Sequence, residues 1–95
     1  MPTSALSDDE IKSRMRFLGS WQLEHGELVR TFTFVDFRAS LAFVNQVGEL
    51  AEAAGHHPDI DIRYNKVRLA LVTHDAGGLT AKDFDLAGEM NELQK

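Results

Sequence analysis

The sequence predicts an α+β fold: a four-stranded antiparallel sheet with three helices on one face, in the order α-β-β-α-β-β-α. Three observations carry this reading. Apolar and polar residues alternate in two pairs of short stretches, 21–24 with 28–35 and 60–64 with 67–72. A long stretch of helical periodicity, residues 37–54, separates the two pairs. Capping signals open a helix before the first pair and another after the second. Two hairpins separated by a helix give an antiparallel sheet with one face for the core.

Residues 1–6 have no periodicity and are expected to be a loose tail on a single domain spanning 1–95. Ser7-Asp8-Asp9-Glu10 is a capping box, and its acids suit the positive end of a helix dipole. Ile11, Met15 and Leu18 follow at helical spacing, and Gly19 ends that helix. Trp21 and Leu23 alternate with Gln22 and Glu24 in a first strand. His25-Gly26-Glu27 is the turn, and His25 there is an exposed polar residue without functional weight. In the second strand Phe32 and Phe34 point one way while Val29, Thr31 and Thr33 point the other.

Asp36 caps the central helix and Gly55 stops it. Stepping by 100° gathers Phe37, Leu41, Val44, Val47, Gly48 and Ala51 in one sector. Phe43, Leu50, Ala39 and Ala54 widen it, with Phe43 on the margin. So broad an apolar sector has two readings: a helix wedged between sheet and sister helices, or a helix with a second face for a partner subunit. In the second hairpin Ile60, Ile62 and Tyr64 alternate with charged residues, and Asn65-Lys66 is the expected turn. That turn pairs Tyr64 with Val67, Ile62 with Leu69 and Ile60 with Leu71, and it sets Arg63 against Arg68. Gly77-Gly78 breaks the chain, and Thr80 with Asp83 caps a last helix carrying Leu86, Met90 and Leu93.

Composition narrows the functional classes. At 43% hydrophobic and 26% charged, the 95 residues have the balance of a globular protein with a modest core. The sequence has no cysteine, which rules out disulfides, thiolate metal sites and a cysteine nucleophile. A net charge of −5 with no basic run argues against direct nucleic-acid binding. No apolar run has the length of a membrane span and no leader pattern is present, so a cytoplasmic location is expected.

The chemistry concentrates between Glu52 and Asp83, where three of the four histidines lie. His56-His57-Pro58 follows a helix end and His74 follows a strand end. Imidazole is the side chain that exchanges protons near neutral pH, so the cluster suggests acid–base work. Glu52 precedes His56 by one helical turn and is expected to orient its ring. Extending the second hairpin's register places His57 opposite His74. Asp83 is at minimum the cap of its helix. Other readings compete. His-His after a helix is also a polar stop, favourable at the negative end of the dipole. Three histidines with acids nearby also suggest a zinc site with an open position, although adjacent extended histidines point apart and chelate poorly. Trp21, Tyr64 and the phenylalanines follow the element periodicity and read as core.

The spacing of these residues resembles that of the pterin-4a-carbinolamine dehydratases. Glu52, His56-His57-Pro58, Tyr64, His74 and Asp83 stand at the gaps of that family's signature, with Tyr64-Asn65-Lys66-Val67 and Thr73-His74 inside it. The match spans about a third of the chain at seven fixed positions, far more specific than a lone Gly-rich loop. The resemblance implies an enzyme, a 4a-hydroxytetrahydrobiopterin dehydratase. It removes water from a 4a-hydroxytetrahydropterin to give the quinonoid dihydropterin, in tetrahydrobiopterin recycling. It implies His56, His57 and His74 as catalytic and pterin-binding residues. Pro58, Thr73 and Asp75 would line the substrate pocket, and Glu52 and Asp83 would support the histidines. No cofactor and no metal is implied, since the pterin is the substrate. The implied partners are further copies of the chain, as homodimer or homotetramer, and a functional link to a pterin-dependent aromatic amino acid hydroxylase. Some relatives of the family act as dimerisation cofactors of transcription factors, so an interaction module stands as the alternative, with or without dehydratase activity.

Overall fold

The computed structural model describes residues 4–94. Its elements run α1 (Asp8–Met15), β1 (Gln22–Glu24), β2 (Glu27–Thr33), α2 (Phe37–Ala54), β3 (Asp59–Arg63), β4 (Lys66–Leu71) and α3 (Ala81–Glu92), with a short 3-10 turn at His74–Ala76. The strands form one antiparallel sheet in the order β1-β2-β4-β3. The expected architecture is the observed one.

The capping box forms in full: the Ser7 hydroxyl accepts from the Glu10 N–H, and the Glu10 carboxylate accepts from the Ser7 N–H. The Ser7 backbone bond is the main cause holding the Glu10 carboxyl below its ordinary pKa. Regular helix stops at Met15, short of Leu18, and the chain tightens through turns before Gly19 takes a left-handed φ of 80°. Residues 1–6 were expected to be loose, yet Leu6 is tied down. Its N–H donates to the Leu79 carbonyl at 2.8 Å and its side chain packs on the core. Residues 1–3 lie outside the described residues.

The first hairpin turns at His25-Gly26, both with positive φ (51° and 79°), as a two-residue type I′ turn requires. The second hairpin departs from expectation. Its pairs are Ile60↔Leu69 and Ile62↔Val67, so the turn is Tyr64-Asn65 and the register is two residues away from the one expected. Asn65 explains the shift. Its amide donates to the Phe34 carbonyl, and its own carbonyl accepts from the Phe34 N–H, pinning the hairpin tip to the end of β2. Tyr64 is left in the left-handed region (φ 52°) and largely exposed. Arg68 now faces Asp61, which removes the expected Arg63–Arg68 clash. A shift of two preserves the faces.

One sheet face carries Leu28, Phe32, Val67, Leu69 and Leu71, all buried, and meets Phe43 and Val47 of α2 and Phe84, Leu86, Ala87 and Met90 of α3. The other carries Thr31, Thr33, Lys66 and Arg68, which are exposed. The helix α2 is turned about its own axis relative to expectation. Its buried residues are Ser40, Phe43, Val47 and Ala51, whereas Phe37 and Leu41 are 46% and 42% exposed. Ser40 hides this from an apolar count: it is polar but buried, its hydroxyl donating to the Asp36 carbonyl. Phe43 is therefore no margin residue. It packs against Phe32 and Phe34 at ring separations of 4.6 and 4.9 Å.

Candidate active site

The site begins where α2 ends. Gly55 adopts φ 63° and its N–H folds back to the Ala51 and Glu52 carbonyls, while the His56 N–H bonds to the Ala51 carbonyl at 3.1 Å. The reversal takes His56 off the helical path, so the expected pairing of Glu52 with His56 does not form. Glu52 instead meets the next ring: its Oε2 lies 2.5 Å from His57 Nε2, an exposed pair. The His56 side chain turns inward, 12% exposed, and its Nε2 lies 2.6 Å from Asp83 Oδ1.

Asp83 is the third residue of α3 and fully buried. It is both a cap and a histidine partner. Its Oδ2 accepts from the Thr80 N–H at 2.9 Å and from the Thr73 hydroxyl at 2.8 Å, leaving Oδ1 for His56. A buried carboxylate is tolerable only when its lone pairs are met in this way. No buried side-chain nitrogen or oxygen among the described residues lacks a partner.

His74 reaches the same place from the end of β4, which lies beside the start of β3. It opens the 3-10 turn after β4, and a bridge between Thr73 and Gly78 closes that loop with two backbone bonds of 3.2 and 3.3 Å. Gly77 makes the loop possible with φ 75°. The ring of His74 is exposed and has no hydrogen-bond partner among the described residues. His57 and His74 are therefore not register neighbours, as expected from the sequence, but sides of one cavity.

That cavity measures about 280 Å³ and is lined by Gly55, His56, His57, Val72, Thr73, His74, Asp75 and Lys82. It thus unites the three histidines with Thr73 and Asp75. Glu52 and Asp83 stand behind His57 and His56. Pro58, expected in the lining, is half-buried beside β3 and outside it. Lys82 and Val72 were not foreseen. Lys82 carries no signal beyond lying two residues after a cap, and Val72 read only as an alternating strand residue. Each of His56 and His57 presents one ring nitrogen to a carboxylate, leaving the other for proton exchange. Among the described residues no group of three His, Asp or Glu side chains is arranged to hold a metal ion. A larger depression of about 530 Å³, bounded by Asp36, Phe37, Arg38, Leu41 and Tyr64, contains no histidine.

Comparison with known proteins adds identity to this geometry. The family model described as Pterin 4 alpha carbinolamine dehydratase matches residues 4–93. A relative from Chloroflexus aurantiacus is 60% identical over 88 residues, covering 93% of this chain and 95% of its own. One from Acidobacterium capsulatum is 59% identical over 88 residues, covering 93% and 96%. Both bear the name "Putative pterin-4-alpha-carbinolamine dehydratase". Among solved structures, a transcriptional coactivator/pterin dehydratase from Brucella melitensis superposes with a TM-score of 0.92 at 32% identity, covering 97% of this chain and all of its own. A pterin dehydratase-like protein identified as a RuBisCO assembly factor in the alpha-carboxysome gives a TM-score of 0.64 at 26% identity, covering 77% and 84%.

Proposed function

This chain belongs to the pterin 4 alpha carbinolamine dehydratase family, and on that premise we propose that it dehydrates 4a-hydroxytetrahydrobiopterin by histidine acid–base catalysis. The hydroxyl on C4a takes a proton and leaves as water, N5 gives up its proton, and the N5 electron pair closes the C4a=N5 double bond of the quinonoid product. One proton enters and one leaves, with no change in electron count, so the step consumes no redox cofactor, and this reading assigns it to the histidines without a metal. Groups that titrate near neutrality suit both transfers. The observation that supports the reading most directly is the convergence of His56, His57 and His74 on one cavity, two of them backed by carboxylates. Glu52 and Asp83 orient the rings, and Thr73 and Asp75 bound the substrate. In this reading the protein works in the cytoplasm in tetrahydrobiopterin recycling, downstream of a pterin-dependent aromatic amino acid hydroxylase. The test is stopped-flow formation of the quinonoid product from synthetic carbinolamine. A rate proportional to protein concentration supports the proposal, and one equal to the spontaneous rate removes it.

A second role, compatible with the first, is favoured by the exposed apolar residues Phe37, Leu41 and Tyr64 around the larger depression. These make self-association, as a homodimer or homotetramer, part of the proposal, and they give an interaction module its surface. A monomer at micromolar concentration in sedimentation would refute that part.

A further inference from the structure

We infer that Thr80 is a positioning residue for His56, acting through the Thr73 hydroxyl and the Asp83 carboxylate. The inference rests on the acid–base reading of the site and on the proton inventory of Thr73, Thr80 and Asp83. A carboxylate only accepts, so the 2.8 Å contact between Thr73 Oγ1 and Asp83 Oδ2 uses the single hydroxyl proton of Thr73. The 2.8 Å contact between Thr73 Oγ1 and Thr80 Oγ1 must then use the hydroxyl proton of Thr80. Thr80 Oγ1 itself accepts from the Lys82 N–H at 3.3 Å, and the Thr80 N–H donates to Asp83 Oδ2. The protons therefore run in one direction, from Thr80 to Thr73 to Asp83. Thr80 and Asp83 are fully buried and Thr73 nearly so, which leaves solvent little access to replace a missing member.

The consequence falls on the ring. With Oδ2 occupied by two donors, Oδ1 is left to accept from His56 Nε2–H, which makes Nδ1 the nitrogen with the free lone pair. A threonine hydroxyl turns freely unless its oxygen is itself held. The Thr80 donor holds it, keeping the Thr73 proton on Asp83 and Asp83 in line with the ring. As an N-cap alone, Thr80 would do none of this, since capping uses only its oxygen as acceptor.

The test compares Thr80→Val, which keeps the shape and removes the proton, with Thr80→Ser, which keeps the proton. In 15N-labelled protein above the imidazole titration range, the ring nitrogens of His56 report the tautomer. Thr80→Val should move them from one Nε2–H form to a mixture, leave His74 unmoved as internal reference, and be reversed in Thr80→Ser. The dehydration kcat should fall about tenfold, the worth of one hydrogen bond, with KM little changed. If Thr80→Val does not fold, Thr73→Val breaks the same chain and must give the same His56 signature. An unaltered His56 spectrum in a folded variant overturns the inference. The spectrum needs no substrate, so an inactive protein with the expected His56 change would refute the proposed function while leaving the positioning of the His56 ring by Thr80 established.

Discussion

Replacing Asp83 by Asn changes one oxygen for NH₂ with almost no change in size, and the surroundings make both orientations of the amide unfavourable. With the amide nitrogen toward Thr73 and the Thr80 N–H, donors face donors at 2.8 and 2.9 Å. With it toward His56, a donor meets the Nε2–H across 2.6 Å, and the ring must change tautomer or swing away. A buried donor left unmatched costs about 1–3 kcal/mol, as does the loss of a bond to a charged group. Total stability for a chain of this length is about 5–15 kcal/mol, so the variant stays folded but weakened. The rate responds more strongly. If His56 acts as acid or base, misplacing it removes up to the whole ~10²–10⁴-fold contribution of that group. Urea unfolding measures the first quantity and stopped-flow dehydration the second. Combining Asp83→Asn with His56→Ala should cost little beyond His56→Ala alone, because both remove one function. Wild-type activity in Asp83→Asn, or rate losses that multiply in the double variant, would refute the reasoning.

The two faces of α2 should separate. Phe43→Ala removes a ring buried against Phe32 and Phe34 and should cost about 3–5 kcal/mol in urea unfolding. Leu41→Lys, at a 42% exposed position, should leave folding within about 0.5 kcal/mol yet shift sedimentation toward smaller species; equal effects on folding would contradict the assignment of the buried face. Exhaustive treatment with a chelator should leave dehydration unchanged, whereas loss of activity restored by zinc would overturn the acid–base reading. The lowered pKa of Glu10 contributes stability that is complete above the ordinary carboxyl value of 4.5 and is lost as pH falls through the lower folded-state value. Amide exchange should therefore show α1 fraying first on acidification, and uniform exchange across the helices would count against it.

The sequence was most informative where local rules act alone. Ser7, Asp36, Thr80 and Gly55 mark helix ends by their own chemistry, and each occupies the expected cap. Alternation grouped Phe32 with Phe34 and Val67 with Leu69 and Leu71 on faces that do meet the core, even though the second hairpin's register was off by two. What failed depended on partners distant in sequence. The Tyr64-Asn65 turn is set by Phe34, and the exchange of carboxylates between His56 and His57 by Asp83, 27 residues from His56, which takes the ring that the Gly55 reversal turns inward. Pro58 is invisible as a non-lining residue because a cavity wall is decided by packing. Ser40 hid the buried face of α2 because a small hydroxyl can be buried once it bonds back to its own helix.

The measurement that bears most directly on the account is the dehydration rate of the three single histidine variants against one substrate. His56→Ala, His57→Ala and His74→Ala should each lose about 10²–10⁴-fold while remaining folded. The pair His57→Ala with His74→Ala should lose less than the product of the two single effects, since the groups act as one unit. His25→Ala, in the hairpin turn away from the cavity, should match the wild type. Full activity in all three single variants would contradict the assignment of catalysis to this cavity.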